Sequence, residues 1–476
     1  MKQLYNHTKF ILALLGAYFF IGSTFGQTHT EYLLSTSYVK SSMNPALRPQ
    51  NGYIGIPGLT NFSLGYRTNT FILENFLFPG KGEDGKTALF LHKDVDYKQF
   101  MKGVSKQNFL DLDFNATLLG FGFYAGDAFL TFDASLRANA EMTIPKTFFD
   151  FMKNLALDEN GKDYNLAGVS ADATAFGQIG VGGSYPFFDN TLLVGAKVKV
   201  LLGLANARLK MDRMKLHIGK DNWSAMEMQT SIQVAMKGLK AKYNEAEGKF
   251  EGFDADKVAV DVNGFGFGFD VGASFNPSYF MEDETSFLNN FTVSAAVTDL
   301  GFINWNKANN LCLVTNPNET VVIMGDRAIS TDGSEEVFSD FGDAFKDVYN
   351  FTDIPPKEQQ NRNTGLKAKL NWGIEYAFPE EHINVGLVST TAFNWGKTVS
   401  EYTVGGAIKP IEAVEAGLSY SFVYGGFQTF GLSLHLGSFF YIASDYILPE
   451  TNSSFIPVSS KAFNVQMGFV VPIGRQ

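Results

Sequence analysis

The sequence predicts an all-β protein, a transmembrane antiparallel β-barrel of about fourteen strands with a short helix-containing insert. Three observations point there. Long segments alternate apolar and polar residues with period two. Beyond the amino terminus no stretch is apolar over the ~18 residues that a spanning helix needs. The composition is rich in Phe (46) and Gly (47) and holds a single cysteine, Cys312.

At 476 residues the chain suits one large barrel, a class that exceeds ordinary domain size. One thiol excludes an internal disulfide framework and any multi-cysteine metal site. A formal charge of −11 argues against nucleic acid as a partner. At the amino terminus, Lys2 and Lys9 are followed by the apolar run Phe10 to Gly22 and then by STFG. These are the parts of a secretory signal spanning 1–26, with cleavage after Gly26. A spanning anchor fits less well because the run is short. There is no cysteine near the cleavage point to carry a lipid. An exported chain without spanning helices is either soluble or a closed barrel, the other architecture that satisfies every backbone group in lipid.

Strand length and face composition favour the barrel, here residues 51–476. In residues 364–378, Leu366, Ala368, Leu370, Trp372, Ile374, Tyr376 and Phe378 share one face, opposite Lys367, Lys369, Asn371, Gly373 and Glu375. Residues 190–205 set Leu192 to Leu204 at even positions against Lys197 and Lys199, and residues 128–140 set Leu130 to Ala138 against Asp133 and Arg137. Such runs pass the ~9–11 residues needed to cross a bilayer, with an apolar face for lipid and a polar one for a lumen. The remaining candidates are 52–67, 111–124, 171–185, 224–237, 257–276, 289–300, 382–394, 399–409, 412–425, 428–444 and 460–473.

Counting up and down this series puts 125–127, 186–189 and 425–428 on the periplasmic side, and 68–110, 142–170, 277–288 and 445–459 outside. The misfit is the insert 301–363, long yet placed by the count in the periplasm. Either an extra strand pair lies around Leu311 to Met324, or the insert is a periplasmic subdomain. Within it, Phe338, Phe341, Phe345 and Val348 recur at helical spacing among acidic residues, which suits a helix on the barrel mouth or a docking surface for a protein partner. The aromatic segment Thr147 to Leu155 falls in an outer loop, where it could cover the entrance.

Residues 261–272 read DVNGFGFGFDVG, and alternating glycines invite a phosphate-loop reading. The spacing rejects it: neither frame offers Gly at i, i+2 and i+5, and no Walker motif is present. The alternation is a strand with Phe265, Phe267 and Phe269 outward. Extending it backward, Val258, Val260 and Val262 share a parity opposite to that of Phe265, so the apolar face slips at Asn263-Gly264. A hairpin turn there would leave 258–262 too short to cross; a β-bulge fits better. Asn263, Gly264, Gly266 and Gly268 are therefore the expected kink in the wall, with the glycines keeping the lumen side clear for a plug or ligand.

Near the start of the predicted mature chain, SSMNPALRPQ carries Asn44, Pro45 and Ala46 immediately before the first strand. This triplet, ahead of an aromatic-rich barrel of about fourteen strands, resembles the FadL and PorV superfamily of outer-membrane proteins. The segments Ala296 to Trp305 and Gly468 to Gly474 are more specifically similar to a Bacteroidota branch of those barrels. The resemblance implies that residues 27–50 form an amino-terminal plug, or hatch, with Asn44, Pro45 and Ala46 at its centre. Pro45, which lacks a donor and has a fixed φ, suits an irregular plug better than a ladder strand, although a simple turn into the first strand is the alternative.

Catalytic chemistry finds little support. The six histidines show no metal-ligand spacing, and there is no nucleophile elbow, so neither a cofactor nor a metal is expected. Ser433 and His435 share a strand face, but Leu432, Leu434 and Leu436 claim the lipid side, which leaves His435 as a lumen hydrogen-bond donor rather than part of a dyad. The other lumen candidates are Asp133, Arg137, Lys197, Lys199, Asp270, Lys367, Lys369 and Glu375. Their mixed signs favour ion-pair networks over a selective path. The leading expectation is a passive outer-membrane channel of the FadL type for hydrophobic or small amphipathic molecules, in contact with outer-membrane lipid. The alternative is a non-enzymatic barrel partner in secretion, gliding or outer-membrane assembly, as the PorV side of the resemblance implies.

Overall fold

The computed structural model describes residues 28–475, apart from 83–84, 93, 155–160, 221, 245–249, 281–286, 319, 325–350, 379–381, 394–397, 424–425 and 448–460. The signal-like 1–26 and the helix expected from Phe338 to Val348 lie outside the described residues.

The chain closes into a 14-strand antiparallel barrel. The first wall strand is interrupted, running as Asn51–Gly55 and then Asn61–Thr68. Both pieces pair on one side with Ala462–Arg475 and on the other with Gln107–Ala125. The circuit continues through Ala128–Pro145, Ser170–Phe187, Leu192–Ile218, Gly264–Phe275, Phe291–Trp305, Ala368–Phe378, Ile383–Phe393, Thr398–Ile411, Val414–Val423, Phe427–Leu436 and Phe440–Ile447. It closes where Phe440 to Ala443 pair with Phe469 to Gln466. Closure leaves no free sheet edge, which is how a barrel satisfies its backbone without solvent.

The strand count agrees with the sequence reading through two compensating differences. Residues 224–237 do not belong to the ring. Leu192–Ile218 is 27 residues long; its first part pairs with Gly264–Phe275 and its distal part with Asn222–Ala235, which stands beyond the ring as a hairpin partner. Conversely 428–444 is two strands, because Gly437 turns the chain in the left-handed region (φ 56°) between Leu436 and Phe440. The Gly437-Ser438 pair is the only turn signal in an otherwise apolar stretch, Leu436 to Ile442.

Losing one wall strand at 224–237 reverses the sense of every later one until the turn at 437. The described parts of 301–363 therefore share an end with the long connections 69–106 and 146–169, not with the short turn 126–127 as the count had it. The segment 277–288 moves the opposite way, joining the short-turn end. Strands do occur at Asn310–Thr315 and Val321–Met324, but they pair with Asn222–Ala235 outside the ring. With Phe351–Asp353 they form a small sheet over the long-connection end.

That end is capped by an apolar cluster in which Phe78, Phe90, Phe100, Phe149, Phe151, Met214, Met228, Leu216 and Leu313 are buried together. The helix Lys146–Lys153, inside the segment expected to cover the entrance, contributes Phe149, Phe151 and Met152. The outer face of the wall is apolar. Phe265, Phe267 and Phe269 are each about half exposed, while Gly264, Gly266, Gly268 and Asp270 between them are buried.

The expected kink at Asn263 to Gly268 is not found. From Gly264 to Phe269 the ladder is regular against both neighbours, and the strand begins at Gly264 because Asn263 already lies outside it. The irregularity sits one turn of the pleat later, between Phe269 and Val271, where the facing strand carries an extra residue. Asp299, in that extra position, has φ 57°. A bulge re-aims side chains, and here it brings Asp299 toward the lumen beside Asp270.

Candidate functional site

The lumen is filled in layers. Nearest the short turns lies the segment 28–50, almost wholly buried and built from two short 3-10 helices, Thr30–Leu33 and Val39–Ser42. Polar side chains of the inner wall hold it. Thr28 bonds Gln466, with its hydroxyl donating at 2.7 Å. The Glu31 carboxylate meets His435 Nε2 at 2.9 Å and accepts from Ser433. The backbone N–H groups of Ser35 and Thr36 donate to the two oxygens of Glu415 at 2.7 and 2.9 Å. Asn371 donates to the Met43 carbonyl at 2.7 Å. At the short-turn rim Arg48 reaches the Asp127 carbonyl and Asn190.

Asn44, Pro45 and Ala46 lie in this segment, and their fit depends on missing side chains opposite. Asn44 Oδ1 accepts from the Ala46 N–H at 2.9 Å, and its amide points at the carbonyls of Ala273 and Ala295. A Cβ on Gly195 would sit 2.2 Å from the Pro45 carbonyl carbon, and one on Gly272 would sit 2.2 Å from Asn44 Oδ1. Gly373, Gly405, Gly417 and Gly468 stand in the same relation to Tyr32, Leu33, Leu34 and Tyr38. The inner wall is thus glycine-lined where the segment passes.

The second layer is a chamber of about 110 Å³. Its charged lining is Asp113, Asp133, Arg137, Lys197, Lys199, Asp270, Asp299 and Lys369, four of each sign, with Tyr38, Ser41 and Ser42 of the segment closing one side. Asp299 chelates Arg137 through both oxygens at 2.7 and 2.9 Å and takes Lys199 at 2.7 Å; Lys199 also reaches Asp270 at 2.6 Å. Gln178 links Arg137 to Asp133, which pairs with Lys197. Opposite charges in a low-dielectric interior must be paired to remain ionised, and the network does this without a surplus of either sign. Of the remaining sequence candidates, Lys367 lies 3.8 Å from Glu141, Glu375 is within electrostatic reach of Lys40 of the segment, and His435 holds Glu31 as described.

Above the chamber Phe176, Leu201, Ile303 and Trp305 pack into a buried apolar cluster on one side of the inner wall, a constriction that narrows the lumen there. Here the first glycine of GFGFGF has its use. A Cβ on Gly264 would lie 2.9 Å from the Trp305 ring and one on Gly203 would lie 2.7 Å from it. These glycines accommodate an indole, not the amino-terminal segment; of the glycines in that strand, Gly272 is the one that faces Asn44. The Trp305 Nε1–H donates to Thr364 at 2.9 Å. Leu366, expected outward, packs inward on this cluster because its residue precedes the ladder strand that starts at Ala368. Beyond the constriction stand Asp172, Asn206, Arg208 and Arg362, and then the Phe and Met cap.

Sequence reasoning missed Asp299, Glu31, Glu415 and Trp305. For Asp299 a signal was present: Val293, Ala295 and Val297 face outward at odd positions and Phe302 at an even one, a slip of the kind used at Asn263.

Solved structures similar to this chain include the Pseudomonas putida toluene transporter TodX, at 10% identity over 94% of this chain and 98% of that one, TM-score 0.37. They also include a Pseudomonas aeruginosa FadL homologue, at 9% identity over 94% and 99%, TM-score 0.38. A TodX monoaromatic hydrocarbon channel deltaS2 mutant shares 12% over 92% and 95%, TM-score 0.39. FadL-type proteins, which the sequence resembles, are thus among them. No curated protein matches the chain. The model of the family described as "Family of unknown function (DUF5723)" matches residues 45–445, most of the chain, and the protein belongs to that family.

Proposed function

We propose that the protein is a plugged outer-membrane channel, exported through its signal-like amino terminus and passing small amphipathic or hydrophobic molecules when residues 28–50 withdraw. The observation that carries this reading is how those residues are held. They add no strand to the wall, and their anchors are mainly side-chain hydrogen bonds from inward-facing residues. Such a segment can leave the lumen without opening the ring. The apolar outer face suits lipid, and the long connections and the cap then face outside the cell.

The layers bear on the solute. An axial route crosses an apolar constriction and an ionic chamber in succession, so a molecule with both an apolar body and a polar end meets a partner in each. Of the two solute classes the amphipathic one fits this route better. The test is uptake by vesicles carrying the purified protein, intact or lacking residues 28–48. Faster entry of a small aromatic alcohol into the deleted form supports the reading; equal impermeability of both forms defeats it.

A second reading, a docking protein, draws on the small sheet built from the distal part of Leu192–Ile218, Asn222–Ala235, Asn310–Thr315, Val321–Met324 and Phe351–Asp353. It continues past the ring and offers a surface built partly from the insert first singled out as a partner site. Removing 306–360 separates the two readings, since a stable complex lost with that deletion, and no uptake in any form, supports docking.

A further inference from the structure

We propose that His29, Glu401 and Asp445 form a divalent-metal site that ties the amino-terminal segment to the barrel wall. His29 belongs to the segment, Glu401 to strand Thr398–Ile411 and Asp445 to strand Phe440–Ile447. Their exposures are 4%, 5% and 1%, and one ligand atom from each lies within 4.8 Å of the others. The inference rests on this placement and not on what, if anything, crosses the lumen.

The histidine is oriented as a metal ligand would be. Its Nε2 is 2.8 Å from Thr390 Oγ1, and the Thr390 hydroxyl donates to Asn371 Oδ1 at 2.7 Å. Because that hydroxyl proton is committed to Asn371, Thr390 accepts from His29, which puts the ring proton on Nε2. Nδ1 is left with its lone pair aimed at Glu401 Oε1, 3.4 Å away. Metal-bound imidazoles are fixed in this manner, by a hydrogen bond from the ring nitrogen that does not coordinate. Thr403 Oγ1 lies 2.8 Å from Nδ1 and 2.7 Å from Ser421 Oγ, where either hydroxyl can donate; with its proton on Ser421 it presents oxygen to the same point.

Glu401 supplies an independent observation. Its Oε2 accepts from the Tyr446 hydroxyl at 2.6 Å, but its Oε1, buried and facing His29, has no hydrogen-bond partner. A buried carboxylate oxygen whose one close polar neighbour is an imidazole nitrogen at 3.4 Å is under-satisfied, which is costly. The second carboxylate, Asp445, accepts the His29 and Thr30 backbone N–H groups, which are neutral donors. The nearby guanidinium of Arg67 is bonded to Asp111 at 2.8 Å, and Lys369 lines the ionic chamber. Protonated His29 and the nearby Arg67 offset part of the charge of the two carboxylates, whereas a divalent cation bound between them neutralises both directly. One imidazole nitrogen with two carboxylate oxygens suits zinc or a neighbouring first-row ion.

The site would act as a clasp. Its histidine enters with the segment and its acids stay in the wall, so binding favours the lumen-filled form by mass action. The test uses the whole protein in detergent, stripped with EDTA and reloaded with Zn²⁺ or Co²⁺. We expect about one zinc per chain by elemental analysis and a visible Co²⁺ band. We also expect a higher thermal midpoint with zinc than with EDTA, and loss of metal in His29→Gln and Glu401→Gln. If those variants fail to fold, the wild-type Co²⁺ spectrum decides. A wild type that holds no metal above background, with a midpoint unmoved by zinc, would leave a plain His29–Glu401 ion pair and overturn the proposal.

Discussion

The backbone N–H of Asp299 donates to the Asp270 carboxylate at 2.7 Å across the bulge between their strands, and both carboxylates hold Lys199. One acid therefore stabilises the backbone distortion that aims the other into the lumen. Asp299→Asn removes the charge that chelates Arg137 and leaves that guanidinium without its bidentate partner. Breaking a buried pair costs on the order of 3 kcal/mol when one partner keeps some solvent contact. Asp270→Asn should cost less, because its amide oxygen still accepts from Asp299. Urea unfolding in micelles, followed by heat-modifiable gel mobility, should rank Asp299→Asn as clearly the less stable; the reverse order would contradict the role given to the bulge.

A side chain at position 195 meets backbone. Since the Pro45 carbonyl cannot swing aside as a flexible side chain would, Gly195→Val must displace the amino-terminal segment locally. Valine also suits a strand, so the wall should tolerate it. Gly177, on the adjacent strand opposite Leu202, where an added Cβ would find ordinary contact at 3.7 Å, is the control. In planar bilayers Gly195→Val should raise ion conductance several-fold over wild type while Gly177→Val does not. Equal conductance in all three would mean that the segment does not obstruct the lumen.

The cap is a separate cooperative unit, because its apolar contacts come mostly from the long connections. Phe100 is 1% exposed, its ring 4.5 Å from Phe90 and 5.9 Å from Phe76. Phe100→Ala should cost about 3–5 kcal/mol in that cluster. The loss should appear as faster proteolysis within 69–106, with the barrel's heat-modifiable shift unchanged.

The closed barrel was readable because lipid and lumen enforce period two on every wall strand, and Phe265, Phe267 and Phe269 show the rule plainly. The errors arose where that rule does not apply. Residues 224–237 alternate like a wall strand because they pair with one, the overlong Leu192–Ile218, beyond the ring. Gly437 turns the chain with only Ser438 beside it as polar punctuation, and no Asn or Asp to mark it. The lumen was legible one residue at a time: Arg137, Lys199 and Asp270 could be assigned to the inner face by parity. Their organiser Asp299 could not be assigned by simple parity, because a bulge suspends it; only the slip between Val297 and Phe302 marks the place. His29, Glu401 and Asp445 lie hundreds of positions apart, so that only barrel closure brings them together.

On the proposed axial route the constriction and the amino-terminal segment lie in series, and this gives a prediction about their combination. Trp305 is 1% exposed, seated against Gly203 and Gly264 and tied to Thr364. Trp305→Ala opens a cavity at a cost of about 3–5 kcal/mol. By itself it should change conductance little, since residues 28–50 still fill the layer below. Deleting 28–48 alone should give only modest conductance, since the indole still crosses the path. The double variant should conduct more than the sum of the two single changes, as expected for two barriers in series. Additive single effects would place the constriction off the route and leave the amino-terminal segment as the sole obstruction.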